Sequence, residues 1–132
     1  MQRAASGRPV AGALGKPEDR LLILVGHDTN LSNVSGALGL TWLIDGRLDD
    51  TPPGGALMFE LWQDRQTGEY SVRTSYTTQT IEQMRSVASL STQNPPERVP
   101  VFVPGCSQAD DSCRWNAFQQ AIHAGTEAEF ER

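Results

Sequence analysis

Two side chains able to move protons stand side by side at the end of an apolar run, in Leu21-Leu22-Ile23-Leu24-Val25-Gly26-His27-Asp28-Thr29-Asn30. An imidazole can carry positive charge to an anion. A carboxyl group beside it can hold a proton and deliver it to a departing oxygen, which is general acid chemistry. The same residues also have a structural reading. Asp, Thr and Asn are common helix caps, so Asp28 or Thr29 can simply satisfy a first turn, with His27 bonded to backbone. The elements around the pair decide what it can do.

Leu21 to Val25 reads as a strand buried on both faces, of the kind found in parallel sheets. Gly26 frees the backbone to turn. A helix is expected from near Asn30, with Leu31, Val34 and Leu38 on one face and Gly39 as its stop. A strand, a tight turn and a helix place the turn residues at the carboxyl edge of a sheet, where ligands of open α/β sheets bind. The free amides and positive dipole end of the following helix favour phosphate or another anion.

The rest of the chain supplies the layers. Residues 1–20 read as a helix remnant and a loop, and residues 45–55 are turn-forming throughout. Leu57, Phe59 and Leu61 alternate with Met58, Glu60 and Trp62, and Tyr70, Val72, Thr74 and Tyr76 alternate with Ser71, Arg73 and Ser75. These patterns predict an antiparallel hairpin. Ile81, Met84, Arg85 and Ala88 are at helical spacing. Residues 99–103 form a short strand in which Pro100 suits an edge. Trp115, Phe118 and Ile122 mark the buried face of a last helix, with Asp110, Asp111 and Ser112 placed to cap it.

A chain of 132 residues fits one domain or part of a larger one. Its net charge of −5 comes with scattered Arg and Lys, so nothing suggests a nucleic-acid face and no nucleic-acid partner is expected. The longest apolar run, Leu21 to Val25, is too short to cross a bilayer. Residues 1–20 lack the hydrophobic core of a signal peptide and leave the compartment unread. Cys106 and Cys113 are separated by six residues. They fit either a small disulfide loop or two buried thiols. With His27 and His123 as the only histidines, a zinc site is poorly supplied with ligands.

The run Gly26-His27-Asp28-Thr29-Asn30 after a buried strand resembles the His-Asp motif of the histidine acid phosphatases, in the branch of bacterial phytases and glucose-1-phosphatases. The likeness continues in order through residues 49–62 (DDTPPGGALMFELW), 79–86 (QTIEQMRS) and 104–113 (PGCSQADDSC), and covers most of the chain from Leu21 to about Ile122. The resemblance implies an α/β fold, with residues 21–132 as the C-terminal part of a sandwich. In it a central mixed sheet is flanked by helices, and the sheet is incomplete without an N-terminal segment. It also implies hydrolysis of phosphomonoesters such as phytate or a sugar phosphate through a phosphohistidine, with no metal or other cofactor. His27 would contact the phosphate, Asp28 would protonate the leaving alcohol, and Thr29 would line the substrate side. A Cys106–Cys113 bridge and a periplasmic or secreted setting follow from the same likeness.

One part of the family pattern is missing. The nucleophile motif, Arg-His-Gly-x-Arg-x-Pro, occurs nowhere in the sequence, and His123, at the end of the last helix, does not replace it. The expectation is therefore a chain that carries the acid without the nucleophile and is inactive alone. It would associate with the missing part or with copies of itself. The competing accounts are a phosphate- or partner-binding module without turnover, and an inactive remnant.

Overall fold

Alternation of apolar and polar residues folds residues 56–78 into a long hairpin. The structure, a computed structural model, describes all residues except 2–4, 8–10, 13, 17 and 128–132. Its elements are α1 (Asp28–Leu38), β1 (Leu43–Ile44), β2 (Arg47–Leu48), β3 (Ala56–Gln63), β4 (Tyr70–Thr78), α2 (Ile81–Arg85), β5 (Glu97–Pro100), β6 (Ser112–Arg114) and α3 (Trp115–Glu127). Of the expected helix remnant in residues 1–20, a helical turn at Ala5 and Ser6 is described, while residues 2–4, 8–10, 13 and 17 lie outside the described residues.

β3 and β4 pair in antiparallel register from Ala56↔Thr77 to Gln63↔Tyr70. Their turn is held by the Asp64 carboxylate, which accepts the backbone N–H of Thr67 at 2.7 Å and of Gln66 at 2.8 Å. Those bonds stabilise the charged form and lower the Asp64 pKa. The other edge of β4 is shared. β5 pairs with Ser75 to Thr78, and β6 pairs with Ser71 to Arg73. All ladders among the described residues are antiparallel.

One face of β4 makes the core. Val72 and Tyr76 are fully buried, with Ile44, Val101, Val103, Cys113 and Phe118 around them. Leu57, Phe59 and Leu61 of β3 pack against this cluster, as their alternation predicts. The Trp42 and Tyr76 rings stack at 4.5 Å between centroids, and Phe59 meets Phe118 of α3 at 5.7 Å. Trp115, Ala117 and Ala121 extend the α3 contact, whereas Ile122, expected on the same buried face, is 38% exposed. Cys106 and Cys113 form a disulfide with Cα atoms 5.2 Å apart, inside the usual range.

Four expectations need correction. Leu21 to Val25 is extended but pairs with no strand, and its side chains are exposed, from 54% at Leu22 to 95% at Val25. Pairing on both edges and cover on both faces require neighbours, and the described residues provide none. Residues 45–55 are not turn throughout: Asp45 and Gly46, both at positive φ, turn β1 into β2. Asp-Gly is the pair that such a two-residue hairpin favours. Asp110, Asp111 and Ser112 do not cap α3, because β6 intervenes. Instead Asp110 accepts the Ser112 hydroxyl at 2.7 Å and its N–H at 3.2 Å, which lowers the Asp110 pKa. The strand expected over 99–103 is β5, which ends at the edge residue Pro100. Beyond it the Val101 N–H still bonds to the Thr74 carbonyl at 2.9 Å.

α2 is also shorter than its spacing suggests. Thr80 and Gln83 cap its start reciprocally, at 3.1 and 3.0 Å. At its end Val87 takes φ 51°, with the Val87 N–H bonded to Met84 O and the Ala88 N–H to Gln83 O. This is the left-handed helix stop usually filled by Gly or Asn, and here a β-branched, 87% exposed residue occupies it. A left-handed L-residue costs roughly 1–2 kcal/mol. Val87→Asn should therefore stabilise the chain by about 1 kcal/mol, read as a higher urea midpoint with unchanged slope. A midpoint that stays put or falls would contradict that strain.

Candidate functional site

Helix α1 starts at Asp28, two residues before the expected position, with His27 as its N-cap in an extended conformation (φ −107°, ψ 171°). His27, Asp28 and Thr29 are all exposed. The Asp28 carboxylate accepts the Thr29 N–H at 2.8 Å, and as the acidic residue of the first turn it complements the helix dipole. The structure thus brings the three predicted site residues together on consecutive positions at one helix end.

The reciprocal bond that closes this turn comes from Asn30, not from Asp28 or Thr29. Its Oδ1 accepts the His27 N–H at 2.8 Å, while its own N–H donates to the His27 carbonyl at 3.0 Å. Asn30 also lies close over Gly26. A Cβ at position 26 would come within 2.8 Å of Asn30 Oδ1 and 3.1 Å of its Cγ. The sequence signal for this bond is an acceptor at the third helical position, which the chemistry of His27, Asp28 and Thr29 does not bring out.

α1 is fastened from its first turn and from its far end. Leu31 and Leu38 pack on the core, while Val34, expected on the same face, is 40% exposed. Gly39 ends the helix in the left-handed region at φ 62°, as its position predicts. There Gly125 of α3 packs against the Ala37 backbone, so closely that a Cβ at 125 would lie 3.0 Å from the Ala37 carbonyl carbon. One of the two elements expected to position His27 and Asp28 is therefore fixed. The other, Leu21 to Val25, is unsupported on its edges and faces among the described residues.

Elsewhere, a shallow groove of about 430 Å³ opens between Glu60, Trp62, Arg73 and Arg98. The Arg73 guanidinium lies 5.5 Å over the Trp62 ring and pairs with Asp110 at 3.7 Å, and Arg98 pairs with Glu60 at 2.7 Å. Each of its two cations thus faces a carboxylate. Among the described residues no three His, Cys, Asp or Glu side chains converge as metal ligands. No helix of the described residues is long and apolar enough to cross a membrane.

Comparison with known proteins gives this geometry its setting. The family model of the histidine phosphatase superfamily (branch 2) matches residues 8–77. Phytase AppA of Escherichia coli is 39% identical over 105 residues, which is 78% of this chain and 24% of that protein. Glucose-1-phosphatase of Providencia rettgeri is 31% identical over 105 residues, 78% of this chain and 25% of that protein. The Hafnia alvei phytase in complex with myo-inositol hexakis sulphate superposes with a TM-score of 0.77 at 38% identity. That match covers 89% of this chain and 29% of the phytase. The chain thus spans about a quarter of the length of the curated relatives it matches, and its mixed α/β fold corresponds to part of theirs.

The anchoring of α1 can be tested directly. Gly125→Ala puts a methyl group into the Ala37 backbone and should destabilise the chain by about 2 kcal/mol, in the range for overpacking. A thermal midpoint equal to that of the parent would show that α1 and α3 do not meet this closely.

Proposed function

The chain belongs to branch 2 of the histidine phosphatase superfamily, and from that premise we propose that it supplies the proton-donor half of a phosphomonoesterase site. What carries the proposal is one observation: His27 and Asp28 occupy consecutive exposed positions at the N-terminus of a helix, within residues 8–77, the stretch that the histidine phosphatase family model matches. In this reading residues 21–132 belong to the C-terminal part of the α/β domain. The nucleophilic histidine, with the Arg-His-Gly-x-Arg-x-Pro motif, comes from a segment these residues do not contain.

The chemistry then divides in two. A histidine nitrogen attacks phosphorus, forming an N–P bond as the P–O bond to the alcohol breaks. Asp28 gives its proton to the departing oxygen, which leaves as a neutral alcohol rather than an alkoxide. Water next attacks the phosphohistidine. Asp28, now a carboxylate, is placed to take the proton of that water, releasing phosphate and restoring the starting state. His27 and the first amides of α1 hold phosphoryl oxygens, where donors and positive charge stabilise the charge of the transition state. Thr29 lines the side toward the alcohol.

The relatives support a choice of substrate class. A phosphorylated polyol such as phytate is favoured because the phytase AppA is 39% identical and a phytase structure is matched in complex with myo-inositol hexakis sulphate. A sugar phosphate is the nearest alternative, supported by the glucose-1-phosphatases. A periplasmic or secreted location is part of the same proposal, and the Cys106–Cys113 disulfide supports it.

The isolated chain should not turn over. In this account Leu21 to Val25 becomes a sheet strand only when neighbours supplied by the rest of such a fold flank it. Two experiments test the assignment. A chimera in which residues 21–122 replace the corresponding segment of the Hafnia alvei phytase should hydrolyse phytate. In it, Asp28→Asn should lower kcat by roughly 10²-fold or more, the scale of a general acid, with inorganic phosphate inhibiting as before. An active chimera indifferent to Asp28→Asn would remove Asp28 from the mechanism.

A further inference from the structure

We propose that Asn30 is a positioning residue for His27 and Asp28, and that Gly26 is glycine because Asn30 needs the space above it; the catalytic meaning of this rests on the function proposed above. Asn30 bonds back to the main chain of His27 across Asp28 and Thr29. Asn30 Oδ1 accepts the His27 N–H at 2.8 Å, and the Asn30 N–H donates to the His27 carbonyl at 3.0 Å. Both hydrogen-bonding groups of the His27 main chain are thereby tied to one residue.

The steric half of the device is independent of those bonds. A Cβ at position 26 would meet the Oδ1, Cγ and Cβ of Asn30 at 2.8, 3.1 and 3.3 Å. Gly26 is not at a positive φ, so its small size, not its conformational range, is what the site uses. Any side chain at 26 would displace the Asn30 amide and release the His27 N–H.

The consequence is directional. The residues before Gly26 are extended and pair with no strand, so nothing upstream among the described residues fixes the entry into α1. Asn30 fixes it from downstream. With the His27 backbone held at φ −107° and ψ 171°, the Cα–Cβ directions of His27 and Asp28 are set relative to the helix axis. A proton donor displaced by an ångström loses much of its catalytic effect, so this backbone geometry is worth holding tightly.

The test uses the whole chain and nuclear magnetic resonance, in which only His27 and His123 give imidazole signals. In Asn30→Ala the His27 amide should exchange with solvent at least ten times faster. Asn30→Asp, which keeps the acceptor, should restore protection. Gly26→Ala should reproduce the Asn30→Ala exchange rate although Asn30 is intact. Equal His27 exchange in the parent, Asn30→Ala and Gly26→Ala would overturn the proposal. So would Asn30→Asp exchanging as fast as Asn30→Ala.

Titration with inorganic phosphate separates this from the functional reading. His27 signals that move saturably in the parent and need at least five-fold more phosphate in Asn30→Ala support both. Parent signals that ignore phosphate would count against the anion site, while the exchange data still decide the role of Asn30. Unchanged phosphate affinity in an Asn30→Ala chain whose His27 amide has lost protection would overturn the claim that this backbone lock serves ligand contact.

Discussion

Strand β4 carries the fold because both of its edges are paired while one of its faces is the core. β3 occupies one edge along its length, and β5 and β6 divide the other. Val72 and Tyr76 project from β4 into the cluster that Leu57, Phe59, Trp42 and Phe118 complete. Helix α3 rests on β4 and β6, and α1 rests on α3 and the core. The position of His27 and Asp28 is therefore set through a chain of contacts that begins at β4 and ends at α1. Loss of packing at β4 would reach the candidate site without touching any of its residues.

The opposite condition holds at Leu21 to Val25. Five consecutive apolar residues are in an extended conformation with more than half of each side chain's surface exposed. Apolar area of that extent, beside unpaired backbone, is an edge that other strands can join. The same feature that makes the segment costly alone makes it the place where a larger α/β sheet would close. Because it leads directly into Gly26 and His27, its burial and the assembly of a phosphatase site are the same event in this account. The disulfide at Cys106–Cys113 lies within the packed core, away from this exposed segment.

What the sequence made legible follows from how local each signal is. The β3–β4 hairpin, the Gly39 stop and the core role of Phe118 are written in alternation, in one glycine and in helical spacing, and all are found. Leu21 to Val25 has the composition of a buried central strand, but composition cannot supply the strands beside it. The segment is left extended and exposed for that reason. Asp110 and Asp111 precede a helix in the sequence, yet the pairing of Ser112–Arg114 with β4 inserts a strand between them and α3. Such long-range pairing has no local signature. At the candidate site, residue types single out His27 and Asp28, and the family resemblance adds Thr29. The part played by Asn30 lies in a hydrogen bond back across the turn, and its proximity to Gly26 shows only in three dimensions.

Burial of Leu21 to Val25 on assembly can be read from the amide hydrogen exchange of that segment. The exchange should be followed in the isolated chain at low concentration and again in the active phytase chimera. Exchange should be near the unstructured rate in the isolated chain, with protection comparable to β4 in the chimera. Full protection in the monomeric isolated chain, or none in a chimera that hydrolyses phosphomonoesters, would contradict it.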